Sequence, residues 1–214
     1  MKIKYAIFDL DGTLLDSMHI WDNIGGKFLE LYDITPEQEL EEVLKPLSVK
    51  DAASYLKTSY ALDLDENQIA DQIFGLAEKE YQENIILKPR VADYLKKLYS
   101  QKTKMCVATA SDHGTTEEVL DRLGILRYFE FVITCPEVGC GKESPRIYQL
   151  AAQRLGCDPM EVVIFEDALH CIKTAKDAGF YVVGVRDKST EQEKEEIESL
   201  CDYYINSFDE MGAI

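Results

Sequence analysis

Two carboxylates lie two residues apart near the start of the chain, in the run Asp9-Leu10-Asp11-Gly12-Thr13, directly after the apolar stretch that ends at Phe8. Residues i and i+2 of an extended chain point the same way, so Asp9 and Asp11 leave the strand on one side. Such a pair can divide labour. Asp9 can attack phosphorus and also ligate a metal. Asp11 can protonate a leaving oxygen and then activate water. Gly12 permits a tight backbone departure behind the pair. Asp and Gly are also ordinary turn residues, so the pair needs partners before it reads as a site.

Three later positions supply them. The stretch Val107-Ala108-Thr109-Ala110-Ser111 ends an apolar run with hydroxyls that can donate to a phosphate oxygen, although a strand Thr is usually structural. Lys142 follows Gly141 just before a helix opening near Ser144-Pro145, and can supply local positive charge. The run Ile164-Phe165-Glu166-Asp167 puts two more acidic residues just past a buried strand. Carboxylates gathered at one edge repel one another unless a hard cation binds them, and Mg²⁺ takes oxygen ligands of this kind.

Positioning these residues requires a sheet. Apolar runs of strand length occur at Ile3–Leu10, Lys104–Thr109, Phe131–Thr134, Val162–Phe165 and Tyr181–Val185. Continuous apolar runs suit parallel strands covered on both faces. Helix-patterned stretches at Thr115–Leu123, Pro145–Leu155 and Leu169–Ala178 separate the later runs, with Gly124, Gly156 and Gly179 as stop signals. This alternation predicts a doubly wound, mainly parallel α/β sheet, with ligands at the carboxyl ends of its strands. From Ser17 to Lys88 the rhythm breaks. The patterned stretches there, Ile20–Tyr32, Pro36–Leu44, Val49–Ser59 and Glu66–Asn84, are all helical, and Pro36 and Pro46 punctuate them. The expected organisation is a core of residues 1–16 and 89–214 with an inserted helical domain at 17–88. The charged run Glu191–Glu198 reads as a solvated helix face.

The net charge is −17, from 23 basic and 40 acidic residues. That disfavours nucleic acid or an anionic membrane as partner, because both require a basic face. An enzyme of anionic phosphates with this balance must carry its positive charge locally, as a bound cation and a lysine. No apolar run reaches the length of a membrane span or of a signal peptide. Six cysteines without a C-x-x-C pair read as free thiols in a reducing, cytoplasmic setting. With three histidines, none at ligand spacing, zinc is not expected.

The order Asp-x-Asp-Gly-Thr, strand-end Thr, Lys, then Glu-Asp resembles the four-motif signature of the haloacid-dehalogenase-like hydrolases, over residues 1 to 186. The position of the helical insert is similar to the helical cap of that superfamily. The segments Gly141–Tyr148 and Glu166–Gly179 look closest to its β-phosphoglucomutase-like phosphatase branch. The resemblance implies a Rossmann-like core and a Mg²⁺-dependent phosphatase acting on a small phosphorylated metabolite through an aspartyl-phosphate. It implies Asp9 as nucleophile and metal ligand. It implies Asp11 as general acid and base, with its carbonyl on the metal. Thr109 and Lys142 would hold the phosphoryl group, with backbone N–H groups near Gly12 and Ala110. Asp167 and Glu166 would anchor the metal. The expected state is a monomer or weak dimer.

The family's Lys-Pro-x-Pro-Asp stands here as Lys142-Glu143-Ser144-Pro145-Arg146, and its Glu-Asp-Ser-x-x-Gly as Glu166-Asp167-Ala168-Leu169-His170-Cys171. Glu143 puts a negative charge beside the phosphate lysine, and Ala168 removes a hydroxyl. The ligands themselves remain, so the metal site is expected to form. His170 reads as a partly exposed helix residue. The branch's mutase uses a His early in the cap linker and a cap Arg for a second phosphate. Here Trp21 and Val49-Lys50 hold those places, and residues 17–88 contain no arginine. A simple phosphatase is therefore preferred over a phosphosugar mutase. A catalytically weak metabolite-binding member of the fold is the other alternative. Haloacid dehalogenation would leave Asp11 without a task. A Schiff-base role for Lys45, Lys50 or Lys57, as in phosphonate cleavage, competes with the ordinary solvated reading. Trp21, His19 and Lys50 are the candidate substrate residues of the cap, which is expected to open and close over the site.

Overall fold

The computed structural model describes residues 3–44, 47 and 49–212. Lys45 and Pro46 lie outside the described residues. Two compact units form: residues 1–17 with 85–214, and residues 18–84.

The first unit is built on six strands: β1 (Tyr5–Phe8), β2 (Lys104–Thr109), β3 (Phe131–Thr134), β4 (Val162–Glu166), β5 (Tyr181–Val185) and β6 (Tyr203–Ile205). Every pairing is parallel and the order is β3-β2-β1-β4-β5-β6. The five runs read from sequence are the first five strands, with β1 shorter at both ends than Ile3–Leu10. The sixth strand had no apolar run to announce it. It is a three-residue edge strand, Tyr203-Tyr204-Ile205, of which only Ile205 is buried. Register explains how the candidate residues meet. Phe8 pairs with Val107 on one side and Phe165 on the other, so residues 9, 109 and 166–167 emerge past the same carboxyl edge. Strand order reverses at β1, the place at which sheets of this kind bind ligands.

In the helical unit the chain forms α1 (Ile24–Glu30), α2 (Leu40–Leu44), α3 (Val49–Ser59) and α4 (Glu66–Glu83). The last opens on a capping box in which Asp65 accepts from Gln68 N–H while the Gln68 side chain accepts from Asp65 N–H. Ile69, Ile73, Ala77 and Tyr81 make its buried stripe. An ion pair, Lys27 to Glu80 at 2.7 Å, ties α1 to α4.

Around the sheet run α5 (Val91–Ser100), α6 (His113–Arg122), α7 (Cys135–Val138), α8 (Arg146–Leu155), α9 (Leu169–Asp177) and α10 (Lys194–Leu200). On one face Ile7, Cys106, Ala108 and Ile164 pack against Ile147, Tyr148 and Ala151 of α8 and Ile172 and Ala175 of α9. On the other, Phe8 stacks on Phe165 at 4.5 Å between centroids, and Tyr94 of α5 and Phe208 close over Phe165. Helices thus cover both faces, as continuous apolar strands require. The sequence reading did not place α5, although Val91, Tyr94, Leu95 and Leu98 form its buried face. The charged run near the end is partly a short 3₁₀ turn and partly α10, which buries Ile197.

The chain's exit from β1 and its return to the sheet unit run side by side. Leu15 pairs antiparallel with Leu87, Asp16 N–H donates to the Ile86 carbonyl at 3.0 Å, and Lys88 N–H donates to the Leu14 carbonyl at 2.9 Å. Cys106, Cys135 and Cys171 are buried, and Cys140, Cys157 and Cys201 are partly buried; all six are free. Among the described residues, no helix is long and apolar enough to cross a membrane.

Candidate active site

β1 delivers Asp9 to this edge, where the residue is 7% exposed, and its backbone N–H donates to the Phe165 carbonyl at 3.0 Å. Lys142 reaches the same spot from the loop between α7 and α8. Its ammonium donates to Asp9 Oδ1 and, at 2.7 Å, to Glu166 Oε1. Carboxylate oxygens of Asp9, Glu166 and Asp167 lie within 4.8 Å of one another. Asp167 is 3% exposed and accepts from the Thr13 hydroxyl at 3.2 Å. Gly12, at φ +78°, turns the backbone against this carboxylate; a Cβ there would stand 2.3 Å from Asp167 Oδ2. The left-handed turn and the close approach both require glycine.

Asp11 is held apart from the cluster. The Ser17 hydroxyl donates to its Oδ1 at 2.6 Å and the Ser111 hydroxyl to its Oδ2 at 2.7 Å. Thr109 is buried at the end of β2, where its Oγ1 accepts from Ser111 N–H at 3.0 Å; Ala110 beside it is exposed. Gly12 N–H is engaged by the Leu15 carbonyl at 3.1 Å. Glu143 does not pair with Lys142. It is exposed, and its Oε1 accepts from Gly141 N–H at 3.2 Å. His170 is exposed on α9, where its Nε2 lies 3.2 Å from Cys171 Sγ. In the helical unit Lys50 is exposed and Trp21 is 36% exposed.

The charge in this pocket does not balance. Burial raises the pKa of Asp9 to about 7, with Glu166 and Asp11 pushing the same way and Lys142 opposing. Asp167 is lifted well above the usual carboxylate range by burial first, then by Asp9 and Glu166. Burial works against the charged form of Lys142, but Asp9 and Glu166 outweigh it and hold the ammonium well above its ordinary pKa. Three buried carboxylates facing one ammonium leave surplus negative charge, and the oxygens among them that remain open are hard donors, which fit a Mg²⁺-type cation and not a thiolate- or imidazole-seeking metal.

Several partners escaped the sequence reading. Ser17 and Ser111 were visible only as members of motifs. Thr13 and Tyr148 were read without a role, although Tyr148 donates to Glu166 Oε1 at 3.0 Å. Lys88 and Asp187 were not singled out as a pair. They form an ion pair at 2.7 Å with Asp187 buried and Lys88 half-buried, and the Ser189 N–H and hydroxyl also donate to Asp187. Their signal is tertiary: 98 residues separate Lys88 from Arg186, whose carbonyl it also binds.

The sequence profile of the haloacid dehalogenase-like hydrolases matches residues 6–185. The fructose-1-phosphate phosphatase YqaB of Escherichia coli is 31% identical over 192 residues, covering 87% of this chain and 99% of its own. A phosphorylated carbohydrates phosphatase of Thermotoga maritima is 25% identical over 177 residues, 83% of this chain and 82% of its own. A candidate β-phosphoglucomutase from Thermotoga maritima has the same fold, with a TM-score of 0.86 at 22% identity over 99% of this chain and 98% of its own.

Proposed function

The chain belongs to the haloacid dehalogenase-like hydrolase family, and from that premise we propose that it is a Mg²⁺-dependent phosphatase of a small phosphorylated metabolite, a sugar phosphate or similar phosphomonoester. The observation that carries the reading is the convergence of Asp9, Lys142 and Asp167 in one buried cluster at the carboxyl edge of the sheet. Had these side chains lain on unrelated surfaces, the reading would have ended there.

Asp9 presents a carboxylate oxygen to phosphorus and takes the phosphoryl group as an aspartyl-phosphate, while the bond to the leaving oxygen breaks. Asp11, steered by Ser17 and Ser111, gives its proton to that oxygen. The same carboxylate then takes a proton from water as the water attacks the aspartyl-phosphate, releasing inorganic phosphate and restoring Asp9. Lys142 has three N–H donors and two are spent on carboxylates, which leaves one for a phosphoryl oxygen. Thr109 Oγ1 accepts one hydrogen bond and keeps its own proton to donate. Asp9, Asp167 and the Asp11 carbonyl would hold Mg²⁺, which would supply positive charge to offset the negative charge of the transferring phosphoryl group. The helical unit, without arginine, offers no bidentate grip for a second phosphate, which separates this reading from a phosphosugar mutase. Trp21 and Lys50 are its proposed substrate-facing residues.

The test is a screen of phosphorylated metabolites with Mg²⁺, comparing wild type with Asp9→Asn. The variant is expected to fold and to lose turnover, and EDTA to silence the wild type. Activity of Asp9→Asn above about 1% of wild type overturns the nucleophile assignment. Tight metabolite binding by a wild type that releases no phosphate would favour the metabolite-binding alternative.

A further inference from the structure

Tyr148 is 0% exposed on α8 and takes no part in the steps above. Its ring meets Phe180 edge-on at 6.1 Å, which fixes the side chain inside the core. The hydroxyl ends at Glu166, where it donates to Oε1 at 3.0 Å. That oxygen also accepts from Lys142 at 2.7 Å. The other oxygen, Oε2, accepts from the backbone N–H groups of Asp167 at 3.0 Å and Ala168 at 3.3 Å. A carboxylate offers about four lone-pair positions, and protein donors fill all four here.

Proximity alone would group Glu166 with Asp9 and Asp167 as a cation ligand. Its hydrogen bonds set it apart, because a filled carboxylate has no lone pair left for a metal. Asp167 accepts only the Thr13 hydroxyl among the bonds described above. We infer that Glu166 is a splint for Lys142 and not a metal ligand, and that Tyr148 is a positioning residue which locks the splint so that the free N–H of Lys142 meets the phosphoryl group. The inference rests on the phosphatase reading and deepens it. Removing the Tyr148 hydroxyl frees a lone pair on Oε1 in a buried site, so Glu166 can rotate and take Lys142 with it. A small error in the placement of a charged donor is costly where catalysis is mostly positioning.

Tyr148→Phe removes one oxygen and keeps the ring and every charge. Three quantities are compared with wild type: kcat on p-nitrophenyl phosphate with Mg²⁺, the calorimetric Kd for orthovanadate with Mg²⁺ present, and the calorimetric Kd for Mg²⁺ alone. Asp167→Asn serves as the metal-ligand control. The expected result is a kcat about tenfold lower and vanadate binding about tenfold weaker, the scale of one lost hydrogen bond to a charged group, with Mg²⁺ affinity within about threefold of wild type. Asp167→Asn is expected to lose Mg²⁺ affinity instead. Unchanged kcat and vanadate affinity in Tyr148→Phe overturn the positioning role. A Mg²⁺ Kd weakened tenfold or more in Tyr148→Phe, as in the control, overturns the splint and makes Glu166 a ligand. Failure of the phosphatase reading looks different: a wild type without turnover on any phosphate ester. In that case the two calorimetric arms still decide the roles of Tyr148 and Glu166.

Discussion

Gly12→Ala tests whether the turn behind the acidic pair is shaped for the metal-side carboxylate. Two costs can be worked from the geometry. The backbone at this position has φ +78°, a left-handed conformation that costs a residue with a Cβ about 1–2 kcal/mol. The new Cβ would lie 2.3 Å from Asp167 Oδ2 and 2.7 Å from its Cγ, so that carboxylate must move by about 1 Å to reach an ordinary contact. Asp167 is 3% exposed and tied to the Thr13 hydroxyl, so the movement spoils its place in the cluster. The first cost predicts a melting temperature lower by roughly 2–8 °C for a chain of this size. The second predicts a kcat/KM at least about 100-fold lower, since an error of that size in a positioned group has that effect. Half-saturating Mg²⁺ should rise with it. The assay is hydrolysis of p-nitrophenyl phosphate across a Mg²⁺ series, with a thermal melt on the same samples. A folded Gly12→Ala protein with wild-type turnover at low Mg²⁺ would refute the argument, because it would mean that Asp167 can be displaced without consequence.

Two further predictions follow from the charge distribution. Asp9 and Asp167 both have native pKa values raised above their unfolded ones, so the metal-free native state binds more protons than the unfolded chain from about pH 4 upward. Their contribution to stability is present below that range and is lost as pH rises, for Asp9 through about 7; saturating Mg²⁺ should therefore raise the melting temperature more at about pH 8 than at about pH 5, and equal gains would count against the acidic cluster as the binding site. Lys88→Met leaves the Asp187 carboxylate 7% exposed with only Ser189 to bind it, which should cost about 3 kcal/mol and lower the melting temperature by roughly 6–12 °C. A melt within about 2 °C of wild type would show that Ser189 and solvent satisfy Asp187 unaided.

Much of the sheet was legible because its strands are covered on both faces and so read as unbroken apolar runs. The two registers that join β1 to β2 and to β4 then follow from parallel pairing and bring the tips of these three strands to one edge. The third residue class, the lysine, was legible from its place between Gly141 and the helix that opens at Arg146. What escaped were elements whose patterns are set by partners and not by themselves. β6 is a half-buried edge strand that exists because β5 offers it a free ladder. α5 carries an amphipathic face of four residues that gains meaning only from the aromatic layer of Phe8, Phe165 and Phe208.

The sequence by itself determined the chemical vocabulary of this protein: two aspartates at i and i+2, a lysine, a Glu-Asp pair, and the strands that end in them, because residue type and spacing along one chain are local facts. Only the tertiary structure decided the grammar. Glu166 and Tyr148 meet across 18 residues, Asp11 and Ser111 across 100, and Thr13 and Asp167 across 154. Which carboxylate has lone pairs to spare, and which is already filled, depends on donors that arrive from other strands and helices. Hydrogen bonding is settled by position in space, so the sequence can name the acids of the site while leaving their separate tasks to the fold.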